Sequence, residues 1–145
     1  MEERFETFTV LVAKINKCIK KIKSQVMEEF NLKSSHVSCL YYIYEHKSLT
    51  AAELVDICNE DKAAISRALV FLEENGFLTS ETSGKKRYRT QIMVTEKGKI
   101  VSEKISKNVE KYLCKASEGF TEEERLIMYK CLALIAKNLD DSCDD

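Results

Sequence analysis

Residues 83–98 read SGKKRYRTQIMVTEKG. Lys85, Lys86, Arg87 and Arg89 crowd beside a turn signal, Ser83-Gly84, in a chain whose formal net charge is only −1. Like charges on one exposed tip repel, and folding gains nothing from placing them there. The concentration therefore points to an external anion. The same stretch carries the clearest β pattern of the sequence. Tyr88, Thr90, Ile92 and Val94 alternate with Arg87, Arg89, Gln91 and Met93, and two-residue periodicity sends these two sets to opposite faces of a strand. The preceding FLTSET (residues 77–82) can return as the partner strand. Two strands alone are marginal, so this hairpin has to lean on helices.

Helices are what the remaining sequence offers. Proline is absent, and the four glycines, Gly76, Gly84, Gly98 and Gly119, fall where junctions are expected. Upstream of the hairpin, Ile65, Ala68, Leu69 and Leu72 form one apolar stripe of a short helix. Asn59 or Asp61 can cap its start. Gly76 stands just past its end, where Phe77 can fold back on the last turn. Before it, Thr50-Ala-Ala-Glu53 is a capping box for another short helix, showing Leu54, Ile57 and Cys58 on one side. A helix from about Ser34 to Lys47 is expected to bury Val37, Leu40, Tyr41 and Tyr44. Thr95 caps a helix carrying Val101, Ile105, Val109, Tyr112 and Ala116, and a second capping box, Thr121 to Glu124, opens the last one.

Both ends of the chain are apolar beyond what one small core needs. Phe5, Phe8, Val12, Ile15, Ile19, Ile22 and Val26 alternate steps of three and four, a continuous stripe that faces either the chain's own core or another chain. LIMYKCLALIA (residues 126–136) is apolar around nearly its whole circumference, and such a helix has to be covered on all sides. One small chain rarely surrounds its own last helix, so this segment favours a dimer. Of its apolar residues, Leu126, Leu132, Ile135 and Leu139 at this end, with Phe5, Phe8 and Val12 at the other, are the expected interface.

Helix, helix, helix, helix, hairpin, helix, helix is the resulting order. Two short helices joined by a tight turn and followed by a basic hairpin make a winged helix-turn-helix, a mainly α fold with a small β-hairpin wing. The second short helix suits the major groove of DNA, about 12 Å wide. Opposite its buried stripe stand Lys62, Ala63, Ser66 and Arg67, with Ala64 beside them. Alanine permits close approach and can touch a thymine methyl, serine can hydrogen-bond a base or phosphate, and arginine can read guanine or clamp a phosphate.

From Ala64 to Val101 the chain reads AISRALVFLEENGFLTSETSGKKRYRTQIMVTEKGKIV. The order and spacing of SR, LEENGFL and VTEKG in it resemble the core signature of the MarR (multiple antibiotic resistance regulator) family of bacterial repressors. The helix pattern from Phe5 to Leu139 follows that family's layout as well. The resemblance implies a homodimer built from the first, fifth and sixth helices, bound to a palindromic double-stranded DNA operator. It also implies a small organic effector between the dimerisation and DNA-binding lobes. By position it makes Ser66 and Arg67 recognition contacts, sets Thr50 and Ala51 where the preceding helix meets phosphate, and gives Arg87 or Arg89 the wing arginine's place. The chain departs from the pattern in KKRYR, where Tyr88 replaces a usual arginine, and in Val70 and Phe71, which are apolar where polar residues are frequent. The expected organisation is one integrated domain: a dimerisation helix (1–32), the winged region (33–98), dimerisation helices (99–139) and an acidic tail (140–145).

Other functions fit less well. No glycine loop cradles phosphate, and His36 and His46 lack a nucleophile or metal motif beside them, so no enzyme activity, cofactor or metal is expected. A helical protein-interaction module would explain the apolar ends but not the basic hairpin. No apolar run reaches membrane-spanning length, and MEERFETF does not read as a signal peptide, which makes a cytoplasmic chain the expectation. The six cysteines form no C-x-x-C pair, and all but Cys143, which sits in the acidic tail, are expected as small buried residues. A thiol-redox or metal-sensing variant of the same regulator is the alternative. Cys18 with Tyr41 or Tyr42 is its candidate thiol site, against inert packing of Cys18 with Ile15 and Ile22, and His36 with Cys39 forms an incomplete metal pair.

Overall fold

A computed structural model of the chain describes residues 5–81 and 89–143. The elements in order are α1 (Phe5–Phe30), α2 (Ser34–His46), α3 (Ala51–Cys58), α4 (Lys62–Glu74), β1 (Leu78–Ser80), β2 (Ile92–Val94), α5 (Glu96–Ala116) and α6 (Glu122–Cys143). This is the mainly helical winged helix-turn-helix that the sequence led us to expect. The chain resolves into two compact units, residues 1–108 and 109–145.

In the first unit, α2, α3 and α4 pack around Leu40, Ile43, Leu54, Ile65 and Leu72, all fully buried. The caps explain where these helices start. Thr50 Oγ1 accepts from the Glu53 amide at 3.2 Å while the Glu53 carboxylate accepts from the Thr50 amide at 2.7 Å. Of the two candidate caps for α4, Asp61 is the one used, its carboxylate accepting from the Ala64 amide at 2.7 Å. Asn59 instead takes a left-handed conformation that ends α3. Past α4, Gly76 has φ +78°, and the Phe77 amide donates back to the Leu72 carbonyl at 2.9 Å.

The wing is a two-stranded antiparallel ribbon, Leu78 opposite Val94 and Ser80 opposite Ile92. It does not stand alone. Leu49, in the turn between α2 and α3, exchanges both backbone hydrogen bonds with Ile92, at 3.2 and 2.9 Å. This third rung has no signature in the sequence. A single apolar residue between two helices carries no periodicity, although its burial shows its role.

Several expectations change in detail. The buried face of α2 is His36, Val37, Cys39, Leu40 and Ile43, while Tyr41 and Tyr44 are half-buried. Of the cysteines, only Cys39 is buried; Cys58 is half-buried, and Cys18, Cys114, Cys131 and Cys143 are exposed in the single chain. Cys18 and Ile15 are exposed in the single chain and Ile22 is half-buried, so Cys18 is not packed into this chain's own core. Phe71, apolar where the resemblance led us to expect a polar residue, has a partner in the fold. It stacks on the His36 ring of α2, centroids 4.1 Å apart and planes within 3°.

In the second unit, α6 opens on the Thr121–Glu124 capping box, hydrogen-bonded in both directions at 3.1 and 2.8 Å. None of its residues is buried within the chain. Gly119, with φ +87°, follows the end of α5, which stops at Ala116. Among the described residues, no helix is long and apolar enough to cross a membrane.

Two outcomes follow from this packing. A Cβ on Gly98, in the first turn of α5, would lie 2.0 Å from the Phe77 carbonyl oxygen, so the two backbones touch and glycine is required there. Gly98→Ala is expected to lower stability by about 2–3 kcal/mol in denaturant unfolding, because the obstacle is backbone and cannot swing away. The second concerns His36, whose Nδ1 accepts from the Lys33 amide at 3.0 Å. Burial, helped by the Lys33 charge, holds its pKa below the ordinary 6.5. The unfolded chain then takes up this proton at higher pH than the native one. The stability that the neutral ring confers is complete above 6.5 and is lost as pH falls below that value. His36→Asn keeps an acceptor for Lys33 and should flatten that acid limb in urea melts recorded at a series of pH values.

Candidate nucleic-acid interface

Helix α4 is two-sided. Ile65, Ala68, Leu69 and Leu72 are buried against α2 and α3, while Lys62, Ala63, Ser66 and Arg67 are exposed, with Ala64 half-buried at the margin. Steps of three and four bring the exposed four onto one face over the first turn and a half. This end has few bulky groups, since Ala63 and Ser66 keep the surface low between Lys62 and Arg67. The Asp61 carboxylate is turned to the Ala64 amide as a cap. The face is therefore cationic, shallow and about one helix wide.

Thr50 and Ala51 are half-buried at the start of α3. The Thr50 amide and a hydroxyl lone pair are engaged with Glu53, which leaves the hydroxyl proton available to an acceptor. The second strand is shorter than the sequence suggested: only Ile92–Val94 is extended, with Ile92 buried and Met93 exposed, while the buried Thr90 and the exposed Arg89 precede it outside the strand. Lys85, Lys86 and Arg87 lie outside the described residues. Of the remaining expected sites, Val12 and its neighbours Leu11, Ile15 and Ile19 are exposed on α1, and Phe8 is half-buried. Phe5 begins the same helix. On α6, Leu126, Leu132 and Leu139 are exposed, Leu126 to 62%, and Ile135 is half-buried.

The thiol and metal candidates are arranged otherwise than the sequence suggested. Tyr41 and Tyr42 meet edge to face at 5.1 Å, and burial pushes the pKa of both up. Tyr42 lies near Cys58, whose charge adds to that rise. His36 caps α2, Cys39 is buried with its thiol pushed up by Cys58 of α3 and by burial, and among the described residues no three His, Cys, Asp or Glu side chains are grouped to hold a metal. That thiol pair has no mark in the sequence. Cys39 and Cys58 are far apart along the chain and fit no spacing motif, and their only shared signal is a place on the inner faces of successive helices.

Comparison with known proteins agrees with this geometry. The sequence profile of the MarR family matches residues 32–87, which run from before α2 into the wing. YybA of Bacillus subtilis (strain 168), an uncharacterized HTH-type transcriptional regulator, is 24% identical over 129 residues, covering 89% of this chain and 86% of its own. A structure described as a MarR family transcriptional regulator from Listeria monocytogenes, complexed with 26mer DNA, superposes with a TM-score of 0.76 at 25% identity, covering 98% of this chain and 92% of that one. Staphylococcus aureus MarR in complex with salicylate and kanamycin has the same fold, with a TM-score of 0.75 at 20% identity over 94% of this chain and 92% of that one. Regulators of transcription, not enzymes, make up this group. The two-sided α4, the tethered ribbon and the flanking long helices thus resemble those of MarR-family winged helix-turn-helix regulators, whose sequence profile matches residues 32–87.

Proposed function

We propose that the chain is a dimeric, sequence-specific DNA-binding regulator that represses transcription until a small organic effector releases it. The observation that carries this reading is the exposed N-terminal face of α4, where Lys62 and Arg67 flank the low surface of Ala63 and Ser66. Such a face enters a major groove without steric cost and offers donors to base edges and phosphates. In this reading Thr50 and Ala51 meet a phosphate, Ala64 lies against the groove wall, and Lys85, Lys86, Arg87 and Arg89 follow the neighbouring backbone. The Listeria protein, a MarR family regulator solved with DNA, supports DNA as the partner.

A second copy is the natural cover for the exposed apolar residues of α1 and α6, since soluble monomers rarely leave so much aliphatic surface in water. Phe5, Phe8 and Val12 at one end, with Leu126, Leu132, Ile135 and Leu139 at the other, contribute to that interface. Two-fold symmetry then sets the half-sites about 10 base pairs apart, centre to centre. The effector class rests on the salicylate and kanamycin complex of the S. aureus protein.

Fluorescence anisotropy on duplexes drawn from the genomic region around the gene tests the DNA reading. Arg67→Ala should change the discrimination between operator variants by about 1–3 kcal/mol. The Arg87→Ala, Arg89→Ala double variant should weaken all duplexes alike and flatten the logarithmic salt dependence by about 0.9 for each phosphate left without its cation. An unaltered salt slope would remove the wing from the interface. In sedimentation, the Leu126→Glu, Leu132→Glu variant should run as a single chain where the parent runs as two.

A further inference from the structure

Helix α4 ends in an unfavourable way by its own means. Glu73 and Glu74 close it, and no basic residue stands in its last turn. A helix C-terminus carries partial negative charge and carbonyls without intrahelical donors, so two carboxylates there work against it. The missing cation comes from α5. Lys97 extends its ammonium to the Asn75 carbonyl at 2.8 Å, and the same nitrogen lies 4.4 Å from the centroid of the Phe77 ring. In the first turn of α5 a positive charge opposes that helix's own dipole, so the place of Lys97 answers to α4.

Thr95 completes the clamp. Its hydroxyl donates to the Gly76 carbonyl at 2.5 Å, and its amide donates to the Phe77 carbonyl at 3.0 Å. The successive carbonyls of Asn75, Gly76 and Phe77 are thus each held by Thr95 or Lys97. These are the residues through which α4 leaves for the ribbon. We infer that Lys97 is a positioning residue for base readout, pinning the exit of α4 and so setting the tilt of that helix in the groove without touching DNA itself. This role rests on the DNA-binding function proposed above.

Leverage gives the contact its reach. The buried stripe of Ile65, Ala68, Leu69 and Leu72 decides which face of α4 looks outward. Aliphatic contacts are non-directional, so they fix tilt less sharply than hydrogen bonds at the two ends. At the start those bonds come from the Asp61 cap, and at the exit from Lys97 and Thr95. Thirteen residues make about 19 Å of helix, so each degree of tilt at the exit moves Lys62 by about 0.3 Å. Hydrogen bonds to base edges work within roughly half an ångström, a margin that a tilt of about two degrees consumes. A lysine on a phosphate tolerates the same shift, because its flexible stem re-aims a point charge. Loss of the pin is therefore felt in discrimination between sequences and hardly at all in general attraction to DNA.

Thr95 is unsuited to testing this, since its hydroxyl also accepts from the Gly98 amide at the start of α5. Lys97 is exposed, and its replacement leaves every cap in place. Lys97→Met keeps a stem beside Phe77 and removes the donor, while Lys97→Arg keeps charge and donors. Anisotropy is recorded with the duplex that the parent chain prefers and with an unrelated duplex, each over a range of salt. In Lys97→Met the ratio of the two affinities should fall by about tenfold, with binding of the unrelated duplex within about twofold of the parent and the salt slope unchanged. Lys97→Arg should restore the ratio. A slope flattened by about 0.9 would put the ammonium on a phosphate and overturn the proposal. An unchanged ratio would overturn it as well, as would an equal loss on all duplexes accompanied by a lower melting temperature.

Hydrogen exchange in the DNA-free chain reads the pin separately. The amides of Asn75, Gly76 and Phe77, bonded to the carbonyls of Phe71, Glu73 and Leu72, should exchange about tenfold faster in Lys97→Met and return to the parent rate in Lys97→Arg. Unchanged exchange would overturn the pin whatever DNA does. A parent chain that favours no duplex over another would instead sink the DNA-binding reading and the readout role with it, while exchange would still decide whether Lys97 holds α4.

Discussion

Ile92 is where the winged half of the molecule is joined. Its side chain is buried, it pairs with Ser80 along the ribbon, and on its other edge its backbone is bonded to Leu49. A hairpin of this size is marginal in water. The rung to Leu49 supplies the partner that the second strand would otherwise lack, and it ties the ribbon to the turn that launches α3. From there the order runs outward. Thr50 and Glu53 start α3, Asn59 stops it, Asp61 starts α4, and the buried stripe of α4 turns Lys62, Ala63, Ser66 and Arg67 to solvent. The exposed cationic face follows from these local constraints and needs no ligand to shape it.

Much of this was readable in advance, for reasons that differ by element. Capping boxes are short-range chemistry, so Thr50 to Glu53 and Thr121 to Glu124 were legible from four residues each. The stripe of α4 was legible because amphipathic periodicity registers burial on one side. The inner face of α2 was misassigned because it is buried nearly all round. Its polar members, His36 and Ser38, find partners in Lys33, Phe71 and Lys23 that only tertiary placement supplies. Phe71 illustrates the same limit. In the sequence it was an apolar residue on a helix expected to be polar there, and in the fold it is the platform for a buried imidazole.

The cysteines were the least legible residues. Five of the six, all but Cys143, were expected as small core side chains, yet in the single chain only Cys39 is buried. A thiol on an apolar stripe looks like packing from its chain position alone, and its nearness to a second thiol depends on where two helices cross. Lys23, one of several lysines on α1, gives no sign of burial in the sequence. Instead, its half-buried ammonium reaches Ser38 and lies near both sulfurs, and burial pulls its pKa down. The exposed apolar residues of α1 and α6 were expected from apolar excess alone, since sequence reveals a need for cover but does not identify the cover.

The touching backbones at Phe77 and Gly98 join the base of the ribbon to the first turn of α5. The joint has no room for an added atom, and the Thr95 hydroxyl donates to the Gly76 carbonyl across the same seam. A shift on one side of such a close-packed seam is transmitted to the other, so the start of α5 and the foot of the ribbon behave as one piece.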